Sequence, residues 1–199
     1  TALFVVIDPI ALTPIFLALT PGMSAQERAR IALRAVLVAG LLLALFAFFG
    51  KAVLGFIGIS MPAFRVAGGI LLFITALDML FDRRTKRRED RAGEEDDRAD
   101  PSVFPLAIPL IAGPGAIASV ILLTSAKPGG EGLIIVSVIT LLVLVIMALT
   151  MQASGYLERV LGKTVINVIT RLLGMLLAAL SVQFVLDGLA AFGFGPGAG

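Results

Sequence analysis

Six apolar stretches, each about as long as a bilayer is thick, govern what this chain can fold into. A membrane helix takes about 20 mostly apolar residues. The stretches 1–20, 29–50, 62–81, 103–125, 132–153 and 166–190 meet that requirement. A soluble domain of 199 residues has too little interior for a chain that is 58% hydrophobic and only 15% charged. The same composition excludes disorder, because disordered segments are poor in apolar residues. With no Cys and no His, disulfide frameworks, Cys/His zinc sites and His-dependent catalytic triads are excluded as well. A net charge of only +2 gives no footing for nucleic-acid binding. The sequence predicts an all-α integral membrane protein with six transmembrane helices, lodged in the lipid bilayer of the cell (inner) membrane.

The charges set its orientation. Residues 82–100 hold seven of the sixteen Lys and Arg and eight of the fourteen Asp and Glu, and they separate two apolar halves. With no apolar periodicity, this segment reads as a mobile loop. Thirteen of the sixteen basic residues fall after spans one, three and five, and only Lys51, Arg65 and Lys127 fall on the other side. The positive-inside rule then places both termini outside and the 82–102 loop in the cytoplasm. Ser24-Ala25-Gln26-Glu27 has capping-box spacing, so span two is expected to start near Ala25. The first span begins at Thr1 without a Met, and the natural chain is expected to start further upstream. A signal peptide is disfavoured there, because no basic region precedes the stretch and Pro9 and Pro14 interrupt it.

The halves repeat one another weakly. Pro9-Ile10-Ala11-Leu12-Thr13-Pro14 parallels Pro109-Leu110-Ile111-Ala112-Gly113-Pro114, and Arg65-Val66-Ala67-Gly68 parallels Arg171-Leu172-Leu173-Gly174. Three spans per copy is an odd number, so the second copy must be inverted in the membrane. The expected organisation is a first three-helix repeat over 1–81, the charged loop over 82–102, an inverted repeat over 103–190 and a Gly-rich extracytoplasmic tail over 191–199. Inverted repeats with interrupted helices are the pattern of secondary transporters.

Two prolines in one span remove backbone donors and clash with carbonyls a turn earlier, so spans one and four are expected to break. Gly113 and Gly115 loosen span four further. The half-helices after Pro14 and Pro114 are expected to aim their N-termini at each other near the midplane, where unpaired N–H groups favour an anion. Simple kinks in a packed bundle are the alternative. Asp8, just before the first break, is the leading functional acid, with capping of the broken helix as its other reading. Asp78 is a second candidate for proton coupling, whereas Asp187 reads as a helix-end residue. Arg65 and Arg171 open corresponding spans, either as interface anchors or to neutralise Asp8 or grip a carboxylate. Thr13 and Gln183 suit a substrate or another helix equally. Gly68, Gly69 and Gly174 point to close packing first and ligand contact second.

Val6-Ile7-Asp8-Pro9 with Pro14-Ile15-Phe16, and Phe64-Arg65-Val66-Ala67-Gly68-Gly69-Ile70-Leu71-Leu72, resemble the MarC family of membrane proteins. The most specific stretch is Phe104-Pro105-Leu106-Ala107-Ile108-Pro109-Leu110-Ile111-Ala112-Gly113-Pro114-Gly115, and Arg171-Leu172-Leu173-Gly174 with Gln183 is similar to the family's last span. The resemblance implies a kinship with lysine-exporter-type carriers and transport of glycine and alanine linked to protons. It puts functional weight on Asp8, Pro9, Thr13, Pro14, Arg65, Gly68, Gly69, Gly113, Pro114, Gly115, Arg171 and Gly174.

The expected function is therefore a secondary carrier of a small zwitterionic amino acid, with the proton as coupling ion and no cofactor or metal centre. Sodium stays open as coupling ion, because carbonyls freed at the breaks would suit it. The rivals are an uncoupled channel or facilitator for a small solute, and a carrier of the same family type with another substrate. An aspartyl enzyme built on Asp78 and Asp187 is disfavoured, since paired carboxylates must sit about 3 Å apart and these two are expected near opposite faces.

Overall fold

The computed structural model describes residues 2–81, 101–126 and 130–194. Within them the order of elements is α1 (Ala2–Ile7), α2 (Pro9–Leu19), α3 (Ala25–Ile57), α4 (Met61–Leu80), α5 (Ser102–Ile111), α6 (Pro114–Ala126), α7 (Gly130–Gln152) and α8 (Ser154–Ala191). Five continuous stretches are long and apolar enough to cross a membrane, α1 and α2 counting together as one, and the bent pair α5–α6 makes a sixth. The order of one interrupted span followed by two straight ones occurs twice. The expected mobile loop at 82–100 and most of the Gly-rich tail lie outside the described residues.

Local chemistry explains where the helices start. At α3 the Ser24 hydroxyl accepts from the Glu27 N–H, and the Glu27 carboxylate accepts from the Ser24 N–H at 2.8 Å, so the capping box is complete. Arg28 reaches back with Nε and a terminal nitrogen to the Thr20 carbonyl, at 3.3 and 3.1 Å. A cation thus ties off the C-terminal end of α2 and fixes the turn into α3. Ser60 caps α4 through the Ala63 N–H, with Pro62 in its first turn.

The interrupted spans form the core and the straight ones surround it. In the first span, 67% of the most apolar window is buried, against 28% in α3, α4, α7 and α8 alike. Leu3, Ile7, Leu12, Ile15 and Phe16 are all sealed inside. The outer helices instead turn Leu37, Leu41, Phe56, Leu141, Leu149 and Leu176 outward, the lipid-facing pattern of a bundle in a membrane.

Helices α4 and α8 run antiparallel in close contact, and glycine permits it. A Cβ on Gly69 would meet the Ser181 carbonyl oxygen at 2.8 Å, and one on Gly174 would meet Met79 Cβ at 3.0 Å and the Ala76 carbonyl at 3.2 Å. Gly188 lies in the same way against Pro62 and Val66. Gly68 faces the other way, against Leu122 of α6. The packing role expected for Gly68, Gly69 and Gly174 is what these contacts describe. Small residues are how membrane helices bring their backbones together.

Gly69→Ala should push α4 off α8 and destabilise the bundle by about 1–3 kcal/mol. Gly55→Ala, in open space within α3, should leave stability unchanged or raise it by up to about 1 kcal/mol. Thermal unfolding of the two variants in detergent checks the contrast.

Candidate functional site

The break in the first span falls at Asp8, not after Pro14. Asp8 adopts the left-handed conformation (φ 55°, ψ 68°), and its Oδ1 accepts from the Ala11 N–H at 3.2 Å. Helix α2 then begins at Pro9, a favourable place for a residue that has no N–H to satisfy. The expected half-helix start after Pro14 is thus corrected: α2 begins at Pro9, with five helical residues before Pro14 and five after it. Pro14 lies inside α2 and deprives only the Ile10 carbonyl of its usual donor. Thr13 donates its hydroxyl to the Pro9 carbonyl at 3.2 Å, so its group serves the helix itself.

The second interrupted span breaks where expected and is less regular before the break. Phe104 and Ile108 are extended (φ −128°, ψ 126° and φ −131°, ψ 122°), and each precedes a proline, which excludes it from helical geometry. Both X-Pro peptide bonds are cis. Each extruded residue lengthens a turn, so the Leu106 N–H donates to the Pro101 carbonyl and the Ala112 N–H to the Ala107 carbonyl, five residues back. After Ala112 the chain bends by 54° and α6 starts at Pro114, with the Ile117 N–H on the Gly113 carbonyl.

The two breaks lie side by side. A Cβ on Gly115 would sit 3.2 Å from Val6 Cγ1, 3.4 Å from Thr75 Oγ1 and 3.5 Å from Leu72 Cδ2. The end of α1, the start of α6 and the middle of α4 therefore meet at one junction. Ser119 lies one turn beyond Gly115 on the same face of α6, and its hydroxyl is fully buried with no hydrogen-bond partner among the described residues.

The two half-helix N-termini differ in kind. That of α2 already holds the Asp8 carboxylate, which occupies the place a substrate carboxylate was expected to take. That of α6 follows Gly113, which has no side chain to cap it, and Pro114, which has no N–H. Its first amide donors belong to Gly115 and Ala116, both buried. An acceptor group is favoured at the start of α6 by these donors and by the helix dipole.

Other expected residues lie away from this junction. Arg65 is half-buried, ten residues before Thr75 and so about 15 Å away along α4. Arg171 is exposed, one turn before the Gly174 contact with the end of α4. Neither arginine is brought to the breaks. Gln183 is exposed and spends its amide on Asp187, at 2.7 Å along α8. Asp78 is half-buried three residues beyond Thr75, one turn from the junction. Thr75 and Ser119 were missed by the sequence reading. The i, i+4 spacing of Ser119 from Gly115 was a usable signal, but nothing local marks Thr75. A groove of about 640 Å³ between α3 and α7 is lined by Leu33, Leu37, Leu41, Leu141 and Val145 and faces lipid, well removed from the polar groups of the junction.

Asp8→Asn should keep stability nearly intact, because Asn caps helices as well as Asp does and tolerates the left-handed conformation. Asp8→Ala should lose about 2 kcal/mol from the missing cap and the strained backbone. Denaturation midpoints of the purified variants separate the cap from the charge.

The profile of the MarC family integral membrane proteins matches residues 1–192. A UPF0056 membrane protein of Archaeoglobus fulgidus is 39% identical over 96% of this chain and 90% of its own length. The UPF0056 membrane protein YvbG of Bacillus subtilis is 39% identical over 94% of this chain and 90% of its own. A UPF0056 membrane protein of Aquifex aeolicus is 38% identical over 94% and 89% respectively. No solved structure matches.

Proposed function

Because this chain belongs to the MarC family of integral membrane proteins, we propose that it is a secondary carrier of small neutral amino acids, glycine and alanine foremost. The observation that carries this reading is the junction of the two interrupted spans, where buried Val6 and Gly115 meet the half-buried Thr75. Backbone broken at membrane depth persists only where protein or a water-filled cavity satisfies it, and discontinuous helices paired in this way are where carriers bind substrate.

The proposed site divides a zwitterion between two poles. The substrate carboxylate goes to the Gly115 and Ala116 amides at the start of α6, with the Ser119 hydroxyl as a further donor. The ammonium goes toward Asp8, whose charge also caps α2. Glycine at 115 and the packing of Val6 and Leu72 around it favour a substrate with little or no side chain. Asp8 is the proposed proton carrier, with Asp78 one turn from Thr75 as the second candidate. The two halves, each an interrupted span and two straight ones, are proposed as inverted repeats that rock about this site. Both termini then lie outside, and the 82–102 segment lies in the cytoplasm.

The test is uptake of labelled glycine and alanine into liposomes holding the purified protein, with and without an inward proton gradient or sodium. Accumulation above equilibrium driven by protons supports the coupled carrier, and saturable flux that only equilibrates points to a facilitator. Ser119→Ala should raise KM about three- to tenfold, as for the loss of one hydrogen bond. Asp8→Asn should abolish proton-driven accumulation while the protein stays folded. Uptake that neither substitution alters would remove the site from the junction.

A further inference from the structure

Helix α8 is two pieces. Residues 154–161 are set off from the span Thr164–Ala191 by Gly162, whose φ of 67° and ψ of 161° fall in a region open essentially to glycine alone. At the other end, only Ala153 separates this short helix from α7. The Ala153 carbonyl accepts from the Tyr156 and Leu157 N–H groups, so the helix begins as soon as α7 ends. With 23 residues, α7 is about 35 Å long and already exceeds the hydrocarbon core of about 30 Å. The short helix is therefore held between two spans at the membrane surface, whatever the junction of the breaks carries.

Its faces are unlike. Ser154 is buried, and Leu157 is half-buried. Tyr156 and Val160 are 71% and 59% exposed, and four residues apart they lie one above the other on the face turned away from the protein. Arg159 is exposed beside Val160. The sequence from 153 to 163 holds Arg159 and Lys163 against a single acid, Glu158.

We propose that residues 154–161 form an interfacial helix whose outward face lies in the headgroup boundary and recruits anionic lipid. The Tyr156 ring suits a place where its body meets acyl chain and its hydroxyl stays wet. Val160 extends the apolar face along the same line. The Arg159 guanidinium presents a fork matched to a lipid phosphate, and the single basic excess that Lys163 gives the segment 153–163 favours an anionic headgroup over a zwitterionic one. Continuity with two membrane spans and this charge complementarity commit the face to lipid rather than to a protein partner. Gly162 is what allows the chain to turn from the surface into the span.

The chain has one tyrosine and no tryptophan, so its tyrosine emission reports on this helix alone. The full chain is reconstituted into vesicles containing phosphatidylcholine or phosphatidylglycerol brominated high on the acyl chains, and iodide is added as an aqueous quencher. Brominated lipid is expected to quench Tyr156 and iodide to have little effect. At equal mole fraction, brominated phosphatidylglycerol is expected to quench more than brominated phosphatidylcholine, and Arg159→Gln to abolish that difference. Emission quenched by iodide and not by lipid would overturn the proposal by placing the helix in water. Emission that neither quenches would overturn it by showing the face covered by protein, a second copy included. Equal quenching by the two brominated lipids would overturn the selection of anionic headgroups.

Discussion

Everything in this fold depends on what becomes of backbone groups that proline sets free inside a membrane. Lipid offers them no hydrogen bonds, so a span interrupted by proline cannot stand at the edge of the bundle. The structure puts the first interrupted span and α6 in the middle, and α5 buries Leu106, Ala107, Leu110 and Ile111 while Phe104 and Ile108 turn outward. The first span is more than twice as buried as the straight helices around it. Asp8 satisfies the Ala11 amide, the Thr13 hydroxyl serves the Pro9 carbonyl, and the wide turns of α5 pair amides with carbonyls five residues back. The glycines follow from the same constraint. A core of broken backbone must be walled closely, and Gly68, Gly69, Gly174 and Gly188 bring α4 against α6 and α8 with no side chain between.

Much of the architecture was legible in the sequence because membrane helices are coded by length and hydropathy, which survive without knowledge of packing. The six spans, the capping box at Ser24 and the break before Pro114 could all be read in this way. The first break lies where Asp8 and Pro9 suggested, and the capping reading of Asp8 is what the structure shows; the start of the second half-helix was not legible, because two prolines five residues apart pointed to Pro14 and the helix already begins at Pro9. Asp8 is both a good cap and tolerant of the left-handed region, and Pro9 after it cannot continue α1, so the two together stop that helix, and Pro14 is carried inside α2 at the loss of one hydrogen bond. The π-pitched turns of α5 were foreshadowed by the Phe104-Pro105-Leu106 and Ile108-Pro109-Leu110 steps four residues apart, since each X-Pro excludes a residue from the helix.

The candidate site was less legible than the fold. A shared sequence position does not imply a shared place in space, and Arg65 and Arg171 show it. Their matching places near the openings of the expected spans 62–81 and 166–190 suggested a common role at the breaks. Because α4 and α8 run antiparallel, matching openings are carried to opposite ends of the pair and away from the junction between them. Thr75 and Ser119 reach the junction from the middles of their helices, where no local pattern sets them apart from packing residues. Contacts between helices are long-range information, and only the assembled bundle contains it.

The difference between the two half-helix N-termini bears on what the proposed site can accept. Had both been capped by a side-chain carboxylate, the junction would repel an anionic group from either side. Had both been open, two helix dipoles would face one ligand with nothing to receive a cation. Here α2 carries its own carboxylate, and α6 begins at a glycine with no side chain and a proline with no N–H. One pole is a carboxyl and the other offers donors, and Val6, two residues before Asp8, packs at Gly115 in the first turn of α6. A ligand that carries both charges on a single carbon satisfies both poles at once, while a simple anion or a simple cation satisfies one and leaves the other unanswered. That asymmetry, rather than the breaks alone, is the reason the proposed substrate is a small zwitterion.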